Sequence, residues 1–292
     1  MNCKTLALLS TSLVALGFSA TTSNAAATMG RVDLGFTEWF DHYDYDGEGS
    51  YDSDYPSLTG DARVNIPYNN TVNLQLDFFG DASLDSGYHG VEGNSNGLGN
   101  VGVGAHINAR DTSEGLLGVF AATGRVWDYS YYNTPAFMAG LEGQYYCGNW
   151  TIYGQAGYMD SDGLYDFLQN GGFVRALVSY YPSQKLKITG GLGYIDGDAN
   201  YGSGTTFNAN AWAWQAGAEY WFGKSVPVAA FFKYQGRQQQ THFPGDFTPE
   251  LTTNEVTAGV TFYFGGDSIE EADRTGAGTE IPNFDWFRLI AD

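Results

Sequence analysis

Apolar and polar positions alternate strictly along residues 254–264. Every second residue from Val256 to Phe264 is apolar, and the positions between them hold Thr257, Gly259, Thr261 and Tyr263. A period of two predicts a β-strand with two unlike faces. The stretch has the length of a tilted strand that crosses a bilayer, roughly 9–11 residues. A lone strand would leave backbone groups unpaired in lipid, so such strands must close into a barrel.

The same rhythm recurs and predicts about a dozen strands between residues 32 and 264. Tight links fall at 67–70, 110–115, 147–149, 181–184 and 223–225, and long polar stretches fall at 41–57, 80–100, 128–135, 160–171, 196–210 and 236–253. Short turns on one rim and long loops on the other are typical of an outer-membrane barrel, with periplasmic turns and extracellular loops. A soluble β-sandwich also has short strands, but it has no reason to sort its loops by length.

The composition of the 292-residue chain agrees with a barrel. It has 40 glycines, 16% aromatic and 16% charged residues, and a mean hydropathy of -0.27. It is too polar for a helical membrane protein and too aromatic for a disordered one. A pI of about 4.2 and a formal charge of -20 argue against nucleic acid as a partner.

The first 27 residues have the features of a secretory signal peptide. Lys4 supplies the positive start, residues 5–20 an apolar run, and residues 23–27 a zone of small residues. We expect cleavage between Ala25 and Ala27. Removal of Cys3 would leave Cys147 without an internal disulfide partner. We interpret Cys147 as a bystander, and a mixed disulfide with a partner is the alternative.

The signal, the alternating strands, the order of the loops and the closing strand that ends at Phe264 together resemble the bacterial outer-membrane β-barrel proteins, the porin-like group in particular. The resemblance covers about residues 28–265 and implies an all-β, transmembrane, antiparallel up-and-down barrel of about 12 strands in the cell outer membrane. It further implies export through the secretory pathway and contact with outer-membrane lipid. In that family the final aromatic resembles the signal read by the barrel-insertion machinery, and porins often form homo-oligomers. Family members commonly stop at that residue, whereas this chain continues through residues 266–292.

The inward face of the predicted strands carries charges of both signs. The predicted pore-lining residues are Asp33, Arg63, Asp77, His106, Arg110, Glu142, Arg175, Lys187, Glu219 and Lys233. One interpretation is that acids and bases pair and brace the interior; the other is a path for solutes with an internal field. A barrel of about 12 strands falls between filled barrels of about eight and open ones of 16–18.

Two sets of aromatic residues are predicted to form interfacial girdles. The outer set is Trp39, Phe40, Phe79, Trp127, Tyr158 and Tyr194. The set near the short turns is Tyr68, Tyr145, Tyr146, Tyr180, Tyr181, Trp221 and Phe222. A platform for stacking sugars is the alternative.

The first long loop is rich in carboxylates, including Asp44, Asp46 and Glu48. Carboxylate oxygens suit Ca²⁺ or Mg²⁺, so these three residues are a candidate metal site in the acidic outer loops. A solvated loop kept soluble by its charge is the alternative.

An enzymatic role is not predicted. The four histidines are His42, His89, His106 and His242. Three fall in predicted loops, and no serine stands ready beside His106 as a nucleophile. His42 beside Asp41 and Asp44 could mimic an acid–base pair, but acids are abundant there.

Residues 266–292 form an acidic segment that we predict to be a periplasmic tail. Residues 266–280 have the composition of a linker. Residues 281–292 are more apolar, and Asn283 is a candidate cap for a short helix with Trp286 and Ile290 on one face. The tail could plug the lumen, dock on a periplasmic partner or lie on the inner leaflet. The function predicted for the whole chain is passive diffusion of small hydrophilic solutes, and a non-conducting structural or surface-binding barrel is the alternative.

Overall fold

The computed structural model describes residues 27–45, 49–84, 97–127, 133–162, 165–200, 205–223, 225–244 and 247–288. The predicted signal peptide up to residue 26 lies outside this part of the chain. So do Asp46, Glu48, His89 and Ile290.

Twelve strands in the described part of the chain form one closed barrel. They are β1 (Met29–Asp44), β2 (Ser50–Pro67), β3 (Val72–Ser83), β4 (Gly99–Asp111), β5 (Gly115–Trp127), β6 (Asn133–Cys147), β7 (Trp150–Ser161), β8 (Tyr165–Ser183), β9 (Leu186–Asn200), β10 (Thr206–Trp221), β11 (Val228–His242) and β12 (Glu250–Phe264). Each strand pairs antiparallel with the next in sequence. The first and last strands close the barrel in a continuous register from Gly30–Phe264 to Asp44–Glu250. The predicted up-and-down architecture is confirmed.

The alternation in the sequence matches the two faces of the barrel. In β12 the side chains of Val260, Phe262 and Phe264 are exposed on the outside, whereas Thr261 and Tyr263 are buried inside. Side chains on successive strand residues point to opposite faces, so an apolar exterior and a polar interior follow directly from the pattern.

The strands extend further into the predicted long loops than expected. Most of the stretch 41–57 is strand, because β1 runs to Asp44 and β2 begins at Ser50. Tyr43 and Tyr51 stack at 4.3 Å between ring centroids across this hairpin. Outside hydrocarbon the outward face of a strand can be polar, so the alternation that marks the membrane-spanning part is absent there.

Part of the girdle prediction is wrong. Trp39 is only 1% exposed and points into the barrel, where its indole nitrogen donates to Ser57 Oγ at 2.8 Å. Tyr146, Tyr181 and Trp221 are also buried inside, and the half-buried Phe79 lines the interior. The reason is their place in the alternation, since all five lie on the inward parity of their strands. Other members of the two sets do face outward: Phe40, Tyr68, Tyr145, Tyr158 and Phe222.

After β12 the chain turns back toward the barrel. Gly265 and Gly266 have φ values of +92° and +82°, which favour glycine. They lead to helix α1 (Ile269–Arg274) and to a 3₁₀ helix, η1 (Phe284–Phe287). The prediction of a linker over 266–280 is therefore wrong. No helix in the described part of the chain is long and apolar enough to span a membrane.

Candidate functional site: the lumen and its plug

Residues 269–288, called the plug from here on, lie inside the barrel and cross it from end to end. At the turn end, the Ile269 amide donates to Gln184 O at 3.1 Å, and Arg274 donates to Gly148 O at 2.8 Å. At the loop end, Arg288 pairs with Phe167 of β8 in an isolated β-bridge. The sequence leaves three positions open for this segment, and the structure shows the first of them, in which the segment plugs the lumen. The segment is not a tail that projects into the periplasm.

Helix α1 seats the plug at the turn end. Ser268 caps it by accepting a hydrogen bond from the Glu271 amide at 3.1 Å. Asp273 on this helix accepts from Tyr181 at 2.8 Å and lies 2.6 Å from Lys187 Nζ. The helix is therefore held by charged and polar contacts to β8 and β9, and not by packing alone.

In the middle of the barrel, three glutamine side chains donate to three successive plug carbonyls. These hydrogen bonds run from Gln144 to Gly278, from Gln75 to Thr279 and from Gln155 to Glu280, each at 2.9 Å. The glutamines come from β6, β3 and β7. The plug backbone at 278–283 is neither helix nor strand, so its carbonyls are free to bond to the wall.

The carboxylate of Glu280 is bound by two arginines of the wall. It accepts hydrogen bonds from Arg175 and from Arg63, the latter at 3.4 Å. Burial by itself would raise the pKa of Glu280, but Arg175 and Arg63 more than offset this and lower that pKa well below its usual range. Glu280 is therefore ionised in the plugged barrel.

The loop end of the plug is aromatic. Phe284, Trp286 and Phe287 of η1 belong to one buried apolar cluster with residues of the wall. Phe284 lies 4.7 Å from Phe79 between ring centroids. The predicted cap is confirmed, because Asn283 Oδ1 accepts from the Asp285 amide at 3.0 Å.

Two glycines of the wall make room for plug side chains. A Cβ at Gly104 would lie 2.7 Å from Cγ1 of Ile281, and a Cβ at Gly124 would lie 2.9 Å from Cε1 of Phe284. A larger residue at Gly104 would meet the plug first, whereas one at Gly124 would meet the backbone oxygen of Val101 at 2.3 Å as well as the plug. The wall and the plug therefore fit each other in shape as well as in charge.

The predicted pore-lining residues all belong to the inward-facing set, and several are fully buried. Asp77, His106 and Glu142 are in direct contact: His106 Nε2 lies 3.1 Å from Asp77 Oδ2 and Nδ1 lies 2.9 Å from Glu142 Oε2. Both ring nitrogens of His106 therefore lie within hydrogen-bond distance of a buried carboxyl group. Arg110 donates to Gly276 O of the plug at 2.6 Å. Whether these residues line a conducting path stays a prediction.

A cavity of about 240 Å³ remains beside the plug. The wall supplies charges of both signs to it: Arg31, Asp33, Asp61, Arg63, Asp81, Arg175, Lys187, Glu219, Lys233 and Glu255. Arg31 pairs with Asp33 at 2.9 Å and with Glu219 at 3.3 Å, so part of this lining is braced by internal ion pairs. Some of the charges around the cavity therefore brace one another, and whether the cavity belongs to a solute path stays a prediction.

The candidate metal site and the histidines are placed as follows. Asp44 ends β1, while the other two candidate ligands lie outside the described residues, so a Ca²⁺ or Mg²⁺ site there stays a prediction. Among the described residues no group of three or more His, Cys, Asp or Glu side chains could hold a metal ion. His42 Nδ1 lies 2.7 Å from Asp52 on the outer surface. Cys147 is exposed beside a turn.

Several solved outer-membrane proteins are similar to this chain. An outer-membrane channel from Pseudomonas putida F1 aligns with a TM-score of 0.52 at 14% identity, over 84% of this chain and 98% of that one. The KdgM porin aligns with a TM-score of 0.45 at 9% identity, over 78% and 99%. A Pseudomonas aeruginosa FadL homologue aligns with a TM-score of 0.45 at 9% identity, over 80% and 90%. The sequence matches no protein-family model and no curated protein sequence.

The chain therefore has the fold of the outer-membrane β-barrels, in agreement with its resemblance to the porin-like group. Within that class it is a twelve-stranded barrel whose lumen holds its own C-terminal segment. The contacts of Asp273, Glu280 and Asp285 with the wall were not predicted from the sequence. Asp273 and Glu280 lie in the stretch whose composition predicts a linker, and Asp285 lies in the more apolar stretch after it.

Proposed function

We propose that this chain is an outer-membrane, porin-like channel for passive diffusion of small hydrophilic solutes, with a lumen occupied by its own plug. The observation that carries the proposal is the polar lumen. It holds charges of both signs and still leaves a cavity of about 240 Å³ beside the plug. A barrel that served only as a scaffold could fill this space with apolar side chains.

The exterior supports the location. Large apolar side chains such as Leu117, Leu141 and Leu192 are more than 60% exposed on the outer face. Exposed apolar surface on this scale needs a membrane or another protein to cover it. We infer that outer-membrane lipid covers it after export and insertion of the barrel, and we expect no enzymatic activity.

A non-conducting barrel is the second candidate, and the firm seating of the plug favours it. Side chains of glutamines, arginines and a lysine of the wall bond to the plug, and the arginines include Arg63, Arg110, Arg175 and Arg237. If the plug never leaves, the barrel would serve as a structural or surface-binding protein through its loops.

Conductance in planar bilayers separates the two candidates. The mature chain is compared with a chain that lacks residues 266–292, and Glu280→Gln in the full chain serves as a matched control with one contact weakened. We expect small or intermittent currents from the mature chain, more frequent opening in Glu280→Gln and a steady larger conductance in the deletion. If refolded barrels of all three kinds stay silent, the channel proposal is wrong.

A further inference from the structure

We propose that the lumen is a binding site for extended acidic peptides and that the plug is its intramolecular occupant. A peptide would bind whenever the plug is displaced. This inference names a solute class for the proposed channel. Binding itself does not depend on conduction, so the two can fail separately.

The wall recognises the peptide backbone. Gln75, Gln144 and Gln155 donate to three successive carbonyls, and none of these three hydrogen bonds involves a plug side chain. Side-chain amides are donors of the kind that peptide carbonyls accept. Because the three glutamines lie on different strands, they donate to the carbonyls of a bound peptide from different sides of the lumen. The arrangement suits any polypeptide without regular secondary structure.

The wall also recognises a carboxylate. Arg175 and Arg63 donate to Glu280 from two strands, and Lys187 lies 2.6 Å from the carboxylate of Asp273. Arg63 also donates to Asp61 of the wall at 2.7 Å, so Arg175 is the stronger of the two contacts. Guanidinium groups that flank one carboxylate form charge-assisted hydrogen bonds, which are stronger than neutral ones. The site therefore prefers a peptide with acidic residues over a neutral or basic one.

An apolar occupant would leave wall groups without partners. Nη1 of Arg110 donates to carbonyls of Arg274 and Gly276, while its Nε and Nη2 have no hydrogen-bond partner among the described atoms. Arg237 donates to the carbonyl oxygen of Asp285. A buried donor that loses its acceptor is costly, so the wall favours an acceptor-rich occupant over an apolar one.

The gaps in the wall add a sequence preference. Gly104 faces Ile281 and Gly124 faces Phe284, which are one and four residues after Glu280. A peptide would match these contacts if its glutamate were followed by an aliphatic residue at the next position and by an aromatic residue four positions after the glutamate. The recognised feature is thus a carboxylate with apolar side chains at fixed spacing.

The test uses the full mature chain with its plug weakened by Glu280→Lys, which places a cation between Arg63 and Arg175. A second variant, Ile281→Asp, weakens the plug at Gly104 and leaves the two arginines and Glu280 intact. A fluorescent peptide with the sequence of residues 274–288 is titrated against each variant in detergent, and trypsin cleavage at Arg274 measures release of the plug. The matched control is the same peptide with Glu280→Gln.

We expect faster trypsin cleavage in both variants and binding of the acidic peptide at least tenfold tighter than binding of the control peptide. Arg175→Gln, combined with Ile281→Asp, should reduce this tenfold difference. The proposal is overturned if Glu280→Lys leaves Arg274 as protected as in the natural chain. It is also overturned if a released plug leaves a lumen that binds neither peptide, or both equally.

Bilayer currents from the same variants separate this proposal from the proposed function. A peptide that binds to variants that never conduct would support the site and reject the channel. Currents from Glu280→Lys that the acidic peptide neither blocks nor alters, together with no binding in detergent, would support the channel and reject the site.

Discussion

Gln75 of the barrel wall and Thr279 of the plug exchange two hydrogen bonds. Thr279 Oγ1 donates to Gln75 Oε1 at 2.8 Å, and Gln75 Nε2 donates to Thr279 O at 2.9 Å. The second amide hydrogen of Gln75 goes to Asp77 at 2.7 Å. One fully buried amide thus connects the plug to the charged group formed by Asp77, His106 and Glu142.

The first prediction concerns this amide. Gln75→Ala removes both hydrogen bonds to the plug and leaves buried groups of Thr279 unpaired, which weakens plug docking by about 2 kcal/mol. Trypsin cleavage at Arg274 should then be roughly 30-fold faster, since 1.4 kcal/mol is a factor of ten. Gln238→Ala is the control, because Gln238 is exposed and bonds only to Glu250 among the described contacts. Equal cleavage of the two variants would contradict the prediction.

The second prediction concerns the shape of the wall. Gly104→Ala would place a Cβ 2.7 Å from Ile281, and we expect this overpacking to weaken plug docking by about 1–3 kcal/mol. Adding Ile281→Ala removes the colliding atoms and should restore part of the loss. Gly154→Ala is the control, because a Cβ there meets nothing within 4 Å. The rate of trypsin cleavage at Arg274 measures the release of the plug in all of these variants.

The absence of restoration in the double variant would mean that Gly104 acts through the barrel and not through the plug.

The third prediction concerns pH. Docking lowers the pKa of Glu280 below its ordinary value near 4.5, so its contribution to docking is complete above that value. The contribution is lost progressively as the pH falls further, because protonation then favours the undocked state. At each pH, hydrogen exchange in residues 278–287 is compared between the natural chain and Glu280→Gln.

The ratio of the two exchange rates should be constant between pH 5 and pH 7 and should approach one as the solution is acidified below pH 4. A ratio that changes between pH 5 and pH 7 would show that another group controls docking.

The fourth prediction concerns the buried imidazole. His106→Gln removes the ion-pair partner that Asp77 and Glu142 share among the described residues, which should destabilise the barrel by about 3–5 kcal/mol. His42→Gln is the matched control, since the His42–Asp52 pair lies on the surface and should change stability by at most about 1 kcal/mol. Urea unfolding in detergent measures the stability of both variants. Similar unfolding midpoints for the two variants would contradict the prediction.

The fifth prediction concerns ion selectivity. The acidic outer loops should make the natural chain prefer cations. Deletion of residues 266–292 removes acids from the lumen and uncovers Arg63, Arg175 and Lys187, so selectivity should move toward anions. Reversal potentials in a salt gradient measure the change. A natural chain that prefers anions, or a deletion with unchanged selectivity, would contradict this prediction.

Most of the barrel could be predicted from the sequence because lipid imposes a simple rule. A membrane-spanning strand must be apolar on one face, and a period of two is visible without any structure, as in β12. Above the membrane the rule no longer applies. The hairpin of Asp44 and Ser50 therefore resembled a loop, although its strands remain paired.

The orientation of several aromatic residues was predictable and was missed. Trp39 was predicted to belong to the outer girdle because it lies near the loop end of β1. Its spacing of two residues from the buried Thr37, however, places it on the inward face. Parity along the strand is the stronger constraint, since it is fixed by backbone geometry.

The plug was harder to predict. The surroundings of residues 273–280 are polar, so this part of the plug shows no apolar stripe, and its acids have the composition of a solvated linker. One local signal was available: Ser268 and Glu271 have the spacing of a helix capping box. The partners of Glu280 lie 105 and 217 residues away, and no local pattern can reveal such pairs.

The turn at Gly265 and Gly266 has a consequence for how the lumen is filled. Only four residues separate the last strand from helix α1, so the plug is tethered at the mouth of the barrel. Short tethers give effective concentrations of about millimolar. A plug that left the lumen would therefore re-enter far more readily than a dilute free ligand would bind, and its return would not depend on the number of copies in the membrane.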